Sequence, residues 1–440
     1  MRKYMYIPWM VFVCLLSLAG YGQRQGDSLL QDATLQNCVQ YALQHQPLIQ
    51  QSYLDETITE RQIKDKLSEW YPQIGLSLNA IHYFQLPVFI FQGTATPSGV
   101  YNTHYGSLTL NQNIFDRDVL LASRSKKDVL LQSKQNTTSN KIDITVNVSK
   151  AYYDILLTQK QIELLDEDIV RLARSLKDSY NQYQGGIVDK TDYKRATIAL
   201  NNSKAERKTY EELLKSKWIY LRQLMNYPAT GPLELKYDSM QMEHEILMDT
   251  TQNANVENRI EFQQLKTQQR LMVDNLKYYK WAYIPSLALV GNYSINFYNN
   301  NLTDLYAKDF PSSYLGLALN VPIFQGTKRT QEIKIAQLQL QRLDYDLVTL
   351  KNAVNSQYAQ ALAVYKGNLN DYYILRDNLE LARDVYNTIQ LQYKSGVKTY
   401  LDLITAETDI RSAQVNYANA LFQVLSSKLD VQKALGSITY

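Results

Sequence analysis

Cysteine is nearly absent from this chain of 440 residues, which holds only Cys14 and Cys38. A disulfide-stapled scaffold is thereby excluded, and Cys38 reads as a small buried apolar residue, not a reactive thiol. Glycine (16) and proline (10) are sparse, so a loop-rich or low-complexity architecture is excluded too. An excess of one charge is also missing: 46 Lys and Arg stand against 43 Asp and Glu, and no nucleic-acid or other polyanionic partner is implied. The four histidines, His45, His82, His104 and His244, are dispersed without a second ligand one helical turn away, so no metal site is expected. Gly185-Gly186 lacks the Lys-Ser/Thr sequel of a phosphate loop, and no nucleophile–base cluster stands out. Neither an enzyme nor a cofactor is expected.

Long apolar runs are lacking as well. Mean hydropathy is −0.36, which excludes a polytopic helical membrane protein. The single apolar run, Met5 to Leu18, follows Arg2 and Lys3 and leads into Ser17, Ala19, Gly20 and Gly22. A basic head, a short apolar centre and a small-residue exit describe a secretory signal peptide over residues 1–22, cleaved after Ala19 or Gly22. The run is shorter than the ~20 residues a membrane-spanning helix needs.

What the chain does have is repetition. LTLNQNIF (108–115) returns as LALNVPIF (317–324), and QYQGGIVDKTDYKRA (182–196) returns as QYKSGVKTYLDLITA (392–406). WYPQIGLSL (70–78) matches AYIPSLALV (282–290) through Pro72 and Pro285. All these phrases are displaced by about 210 residues, so the chain is an internal duplication. Each copy reads helix, strand, loop, strand, very long helix, turn, helix. The first spans 23–226, with strands near 73–85 and 104–115 and a tip turn at 184–190. The second spans 256–440, with strands near 284–298 and 312–323 and a tip turn at 394–398. Residues 227–255, carrying Pro228, Gly231 and Pro232, connect them.

Residues 117–184 contain no Gly or Pro, and Gly367 is the only Gly between 327 and 394. Each stretch would extend roughly 100 Å as a helix. Ile162, Leu165, Ile169, Leu172, Leu176, Tyr180 and Tyr183 follow coiled-coil spacing, as do Tyr372, Leu375, Leu379, Ala382, Tyr386, Ile389 and Tyr393. In the strands the period is two: Ile74, Leu76 and Leu78 alternate with Gly75, Ser77 and Asn79, and Leu315, Leu317 and Leu319 with Gly316, Ala318 and Asn320. Half-buried strands of soluble proteins alternate in the same way. The signal peptide, the long flanking helices and the aromatic residues near the strand ends (Tyr83, Phe84, Phe89, Phe91, Tyr298, Tyr314) favour strands that cross a bilayer. Four such strands cannot close a barrel, and an open edge in lipid leaves N–H and C=O groups unpaired. Two copies give eight strands, whose interior side chains fill; three give twelve and leave a hole, so a channel implies a cyclic homotrimer.

With these features the sequence resembles the TolC-like outer membrane efflux protein family over essentially the whole mature chain. The resemblance rests on TLQNCVQYALQHQP (34–47), Pro72 and Pro285, VPIFQG (321–326), Tyr183-x-x-Gly186 and Tyr393-x-x-Gly396, Asp402 and Ala406, and KALG (433–436). It implies long antiparallel coiled-coil-like helices and four membrane strands per subunit, completing a twelve-stranded transmembrane β-barrel and a helical tunnel as a homotrimer. It also implies outer-membrane lipid around the barrel and a large periplasmic portion. The implied function is the exit duct of a tripartite efflux or type I secretion system, fed by a periplasmic adaptor and an inner-membrane pump or ABC transporter. Tyr183, Gly186, Tyr393 and Gly396 would form the adaptor-docking tip. Asp402, Thr405 and Asp192 would form the periplasmic gate, although Thr405 stands where the family often has a second aspartate. Pro72, Pro285, Phe115, Pro322 and Phe324 would mark the barrel ends. The basic cluster 123–127 is read as a solvated helix face, or else as a contact to acidic lipid headgroups or an adaptor. The competing reading is a periplasmic coiled-coil adaptor or structural protein without a pore.

Overall fold

The computed structural model describes residue 30 and residues 32–440 other than 237–241, 244 and 253. The expected signal segment and His244 therefore lie outside the described residues.

After α1 (Leu35–His45) and α2 (Pro47–Ser68), strand β1 (Gln73–His82) begins one residue after Pro72. A small hairpin, β2 (Val88–Phe91) and β3 (Thr94–Pro97), interrupts the return to β4 (Asn102–Phe115). Asp116 caps the next helix by accepting from the N–H groups of Asp118 and Val119 at 2.8 and 3.3 Å, and α3 (Arg117–Gln184) then runs for 68 residues, about 100 Å. It turns into α4 (Lys190–Met225). The second copy repeats the plan with α5 (Ile260–Lys280), β5 (Ser286–Asn299), β6 (Asp309–Asn320), the 67-residue α6 (Lys328–Lys394) and α7 (Tyr400–Leu435).

The four long strands form one antiparallel sheet in the order β1-β4-β5-β6. The central β4–β5 ladder joins the two copies, and β1 and β6 are left as open edges. A bulge at Asn113/Phe115 ends the ladder on the helical side and pairs Phe115 with Leu287. The final strand stops at Asn320, short of the run the alternation suggested. Pro322 has no N–H to extend a ladder; its carbonyl instead accepts from Arg329 Nη2 at 2.6 Å. Ile323 and Phe324 consequently stand out from the sheet, both highly exposed.

The α6–α7 seam follows its spacing: Tyr372, Leu379 and Tyr386 are buried, and Leu375, Ala382, Ile389 and Tyr393 pack against buried neighbours. The α3 seam is rotated from the expected one. Its buried stripe is Gln161, Leu165, Asp168, Leu172, Ser175 and Ser179, whereas Ile162 and Ile169 are half-buried and Tyr180 is 45% exposed. Over this stretch α3 packs both on α4 and on α7 of the other hairpin, so no single apolar stripe covers its buried surface. Polar residues are tolerated there because they find partners: Gln161 Nε2 donates to Asn419 Oδ1 at 3.0 Å, and Ser203 Oγ donates to Asp168 Oδ2 at 2.7 Å.

One main core gathers Cys38, Ile49, Ile155, Leu156, Leu221, Met225, Tyr365 and Val424. Burial pushes the Cys38 thiol up to about 12, so it stays protonated and inert. The segment between the copies belongs to this core: Met242 and Ile246 are buried, and the Tyr365 hydroxyl donates to the Ile246 carbonyl at 2.6 Å.

Candidate functional site

Two regions carry features that packing alone does not require: the sheet and the far tips of the helices. Paired residues of an antiparallel ladder share a face, so the register sorts the sheet into two surfaces. One carries Ile74, Leu110 and Leu315 in one row, Leu76, Leu108 and Tyr293 in the next, then Leu78, Ile295 and Pro311, with Leu289 and Leu317 towards the helices. The opposite surface carries the row Ser77–Ser107–Ser294–Ser312, flanked by Gly75–Thr109–Asn292–Tyr314 and Asn79–Tyr105–Asn296–Phe310. The serine row is hydrogen-bonded, with Ser294 and Ser312 hydroxyls 2.8 Å apart and Asn292 Nδ2 donating to Ser107 Oγ at 2.6 Å. No Asp, Glu, Lys or Arg stands in these three rows. Both leucine edges, on β1 and β6, are open to solvent in the single chain.

At the other end, the two tips are built alike. Gly186 N donates to Tyr183 O and Ile187 N to Gln182 O; Gly396 N donates to Tyr393 O and Val397 N to Gln392 O. This is a Schellman closure, and it needs the left-handed φ of +69° at Gly186 and +74° at Gly396. The apolar residues that follow, Ile187 and Val397, are 76% and 72% exposed at the extreme ends. Seam spacing does not single them out, although a hydrophobic residue after the Schellman glycine is the motif's usual companion.

Tyr183 and Tyr393 lie in the seams near the tips. Tyr183 packs on Tyr193 with ring centroids 5.1 Å apart, and Tyr393 on Tyr400 at 6.2 Å. The Tyr393 hydroxyl also donates to Gln182 Oε1 at 3.0 Å, which ties the second tip to the first across 211 residues of sequence. Space around Gly396 is open, with no atom within 4 Å of a built Cβ. Gly396→Val should therefore cost only about 1–2 kcal/mol, from the left-handed backbone. Folded protein that no longer supports export would place its defect in docking; loss of the folded protein would assign Gly396 a purely structural role.

Asp402 closes a capping box. Thr399 Oγ1 accepts from Asp402 N at 3.3 Å, and Asp402 Oδ2 accepts from Thr399 N at 3.0 Å and from its hydroxyl at 2.8 Å. The Thr399 backbone N–H, then its hydroxyl, holds the Asp402 carboxyl below the usual carboxylate range. Thr405 donates back to Leu401 O at 2.8 Å and stays exposed. Asp192 sits half-buried in the first turn of α4, on the other hairpin.

Further along the helices, a buried ionic cluster crosses between the hairpins. Asp168 accepts from Arg171 at 3.2 Å and lies 3.8 Å from Arg411, which reaches Glu206 at 3.2 Å. Glu407 is buried beside it, and burial pushes its carboxyl up to about 7. Spacing alone could have exposed this cluster: Glu407 falls four residues after Leu403 and three before Ile410, both buried.

Elsewhere the sequence candidates have local partners. His45 contacts Tyr41 O, His82 Asn102 Oδ1 and His104 the Tyr306 hydroxyl, all within 2.9 Å. No cluster of three metal-ligating side chains occurs among the described residues. Within the basic 123–127 segment, Arg124 pairs with Asp274 at 3.0 Å and lies 6.0 Å from the Trp281 ring, while Lys126 and Lys127 are exposed. No described helix is long and apolar enough to cross a membrane.

Known proteins share this arrangement. The chain is 22% identical to the outer membrane protein TolC of Escherichia coli K12 over 443 residues, covering 96% of this chain and 85% of TolC. It is 23% identical to the alkaline protease secretion protein AprF of Pseudomonas aeruginosa, covering 74% of this chain and 68% of AprF. The solved outer membrane channel CmeC of Campylobacter jejuni superposes with a TM-score of 0.75 at 15% identity, covering 92% of this chain and 85% of CmeC. The family model described as outer membrane efflux protein matches residues 38–227 and 253–437, one segment in each copy. A duplicated chain with one open four-stranded sheet and two long helical hairpins is thus a member of the outer membrane efflux protein family.

Proposed function

We propose that three copies join β6 of one to β1 of the next and so close a twelve-stranded barrel, continued by the helices as a periplasmic tunnel. The protein is an outer-membrane exit duct of the kind used in efflux and type I secretion. The observation that carries the trimer is the open sheet: leucines on one surface and hydroxyls and amides on the other, with both edges unpaired. Lipid has no hydrogen bonds to offer those edges, so only another copy's edge can satisfy them. In the closed ring the serine row becomes a belt of hydroxyls around the bore, and the leucine rows face acyl chains. The tips would meet a periplasmic adaptor, with the exposed Ile187 and Val397 as apolar contacts and Tyr183, Gly186, Tyr393 and Gly396 shaping the end; an inner-membrane pump or ABC transporter supplies the energy. Asp402 and Asp192, on neighbouring hairpins, would line the closed end beside Thr405.

Adjacent cysteines test the face assignment. Ser77→Cys in membrane-embedded protein should react with a charged, membrane-impermeant maleimide and lose single-channel conductance on labelling. Leu76→Cys, one residue away, should stay unlabelled. Equal labelling of the two, or a protein that forms no conducting trimer, would overturn the reading.

A further inference from the structure

Glu407 is only 4% exposed, and its Oε2 makes no hydrogen bond. A carboxylate oxygen buried without a donor is rare, because ionised carboxylates are costly away from water. The second orphan lies on the facing helix: Arg171 Nε is also buried and unbonded, although the same guanidinium holds Asp168 through Nη2 at 3.2 Å. Glu407 is on α7 and Arg171 on α3, so the pair straddles the boundary between the two helical hairpins. Among the described ion pairs they do not touch. One side has an unused acceptor and the other an unused donor.

We propose that Glu407 and Arg171 form a proton-operated latch between the two hairpins. With Glu407 protonated, the carboxyl stays in the Tyr386–Leu403–Ala406–Ile410 cluster and the hairpins hold the arrangement seen here. Loss of the proton leaves a bare carboxylate beside that cluster, and Arg171, whose charge already acts on Glu407, holds an unused N–H on the facing helix. The ionised side chain is drawn to it, and α7 shifts against α3. Two discrete placements of one buried group, unpaired when protonated and paired when ionised, are what a bistable interface requires.

The surroundings set the working range. Burial raises the Glu407 carboxyl to about 7; Arg171 opposes that rise and Asp168 reinforces it. The other charged or titratable groups near the pair are Glu167, 4.0 Å from Arg171, and Arg174 on α3, Glu206 on α4 through Arg411, Tyr386 and Tyr393 on α6, and Tyr400 and Arg411 on α7. None of these is a histidine, and burial raises the three tyrosines above their ordinary value near 10, so Glu407 is the member placed to change charge near neutrality. The sign follows: the folded carboxyl binds its proton more tightly than an exposed one. The stability this gives is complete below about pH 4.5, is lost as the pH rises towards 7, and is constant above.

The test reads geometry and does not depend on conduction. In the full-length protein in detergent, spin labels at Lys177→Cys on α3 and Thr408→Cys on α7 would report the inter-hairpin distance; both sites are exposed, and Cys38 is buried. Across a pH range of about 5.5 to 8.5 the distance distribution should pass from one population to another with a midpoint near 7. Glu407→Gln should hold the low-pH distance throughout, and Arg171→Gln should move the midpoint upward. The latch is overturned if the native distance does not respond to pH, or if the Glu407→Gln variant shows the same transition. A third overturning result is an Arg171→Gln midpoint that stays put.

Discussion

Leu108→Arg is expected to cost roughly 3 kcal/mol per subunit in the membrane, whereas Thr109→Arg next to it should cost under about 1 kcal/mol. Leu108 lies in the row Leu76–Leu108–Tyr293 near the middle of the strands, on the surface assigned to lipid. An arginine there sits close to the bilayer midplane, where a guanidinium can be hydrated only by thinning the membrane around it. Thr109 faces the other way, in a row of Gly75, Asn292 and Tyr314, and its hydroxyl gives up only a 3.3 Å bond to Gly75 O. Its replacement would stand in the aqueous bore. In the proposed trimer the difference would be counted three times, so the first variant should vanish from outer-membrane fractions while the second assembles and conducts with a shift towards anions. Similar recovery of both from the membrane would refute the assignment of faces.

The second large effect concerns one glycine and is independent of the bilayer. Gly436 caps α7 at φ +70°, and a Cβ built there would lie 2.6 Å from Asn258 O and 2.8 Å from Asn258 C. These are backbone atoms of the turn that starts α5, held in place because Arg259 reaches back to the Ala434 carbonyl at 3.4 Å. Gly436→Ala therefore meets a left-handed backbone penalty and a clash that no rotamer can relieve, together about 3 kcal/mol. The same substitution in the middle of α6 has the opposite sign. Gly367 has nothing within 4 Å, and Gly367→Ala should stabilise by about 0.5–1 kcal/mol through helix propensity. Denaturant midpoints of the two variants, measured side by side, should fall on either side of the parent; a harmless Gly436→Ala would mean the α5 turn is free to move.

Much of this was legible in the sequence because each long element repeats one simple period. The α6 seam from Tyr372 to Tyr393 packs as spaced, and the alternations of Ile74–Asn79 in β1 and Leu315–Asn320 in β6 fall on two faces as written. Legibility failed where an element has several neighbours or where polar groups do apolar work. In α3 the stripe shifted onto Gln161, Asp168 and Ser175, which a hydrophobic pattern cannot flag, since their burial depends on partners far away in sequence. Glu407 differs: its seam position between Leu403 and Ile410 could be read from spacing, whereas its charged neighbours on α3 could not. The β2–β3 hairpin was missed because its turn uses Gln92 at φ +48° beside Gly93, where the usual signal would be Asn-Gly or Asp-Gly. At Val321–Phe324 the alternation continued past the strand, and only Pro322 told otherwise. At the tips the glycines were evident, while the exposed Ile187 and Val397 carried a signal visible only with the turn closed.

The β4–β5 ladder has a consequence for how the molecule is made. Its two strands are about 170 residues apart in sequence, so at roughly 5–20 residues per second β5 is synthesised on the order of ten to thirty seconds after β4. During that interval the first half owns a lone β1–β4 ribbon with bare leucines and no stable sheet to join. Early folding would strand it beside water as a seed for aggregation. Biogenesis thus selects for export of the chain as an open polymer, with pairing postponed until the whole of it has been delivered.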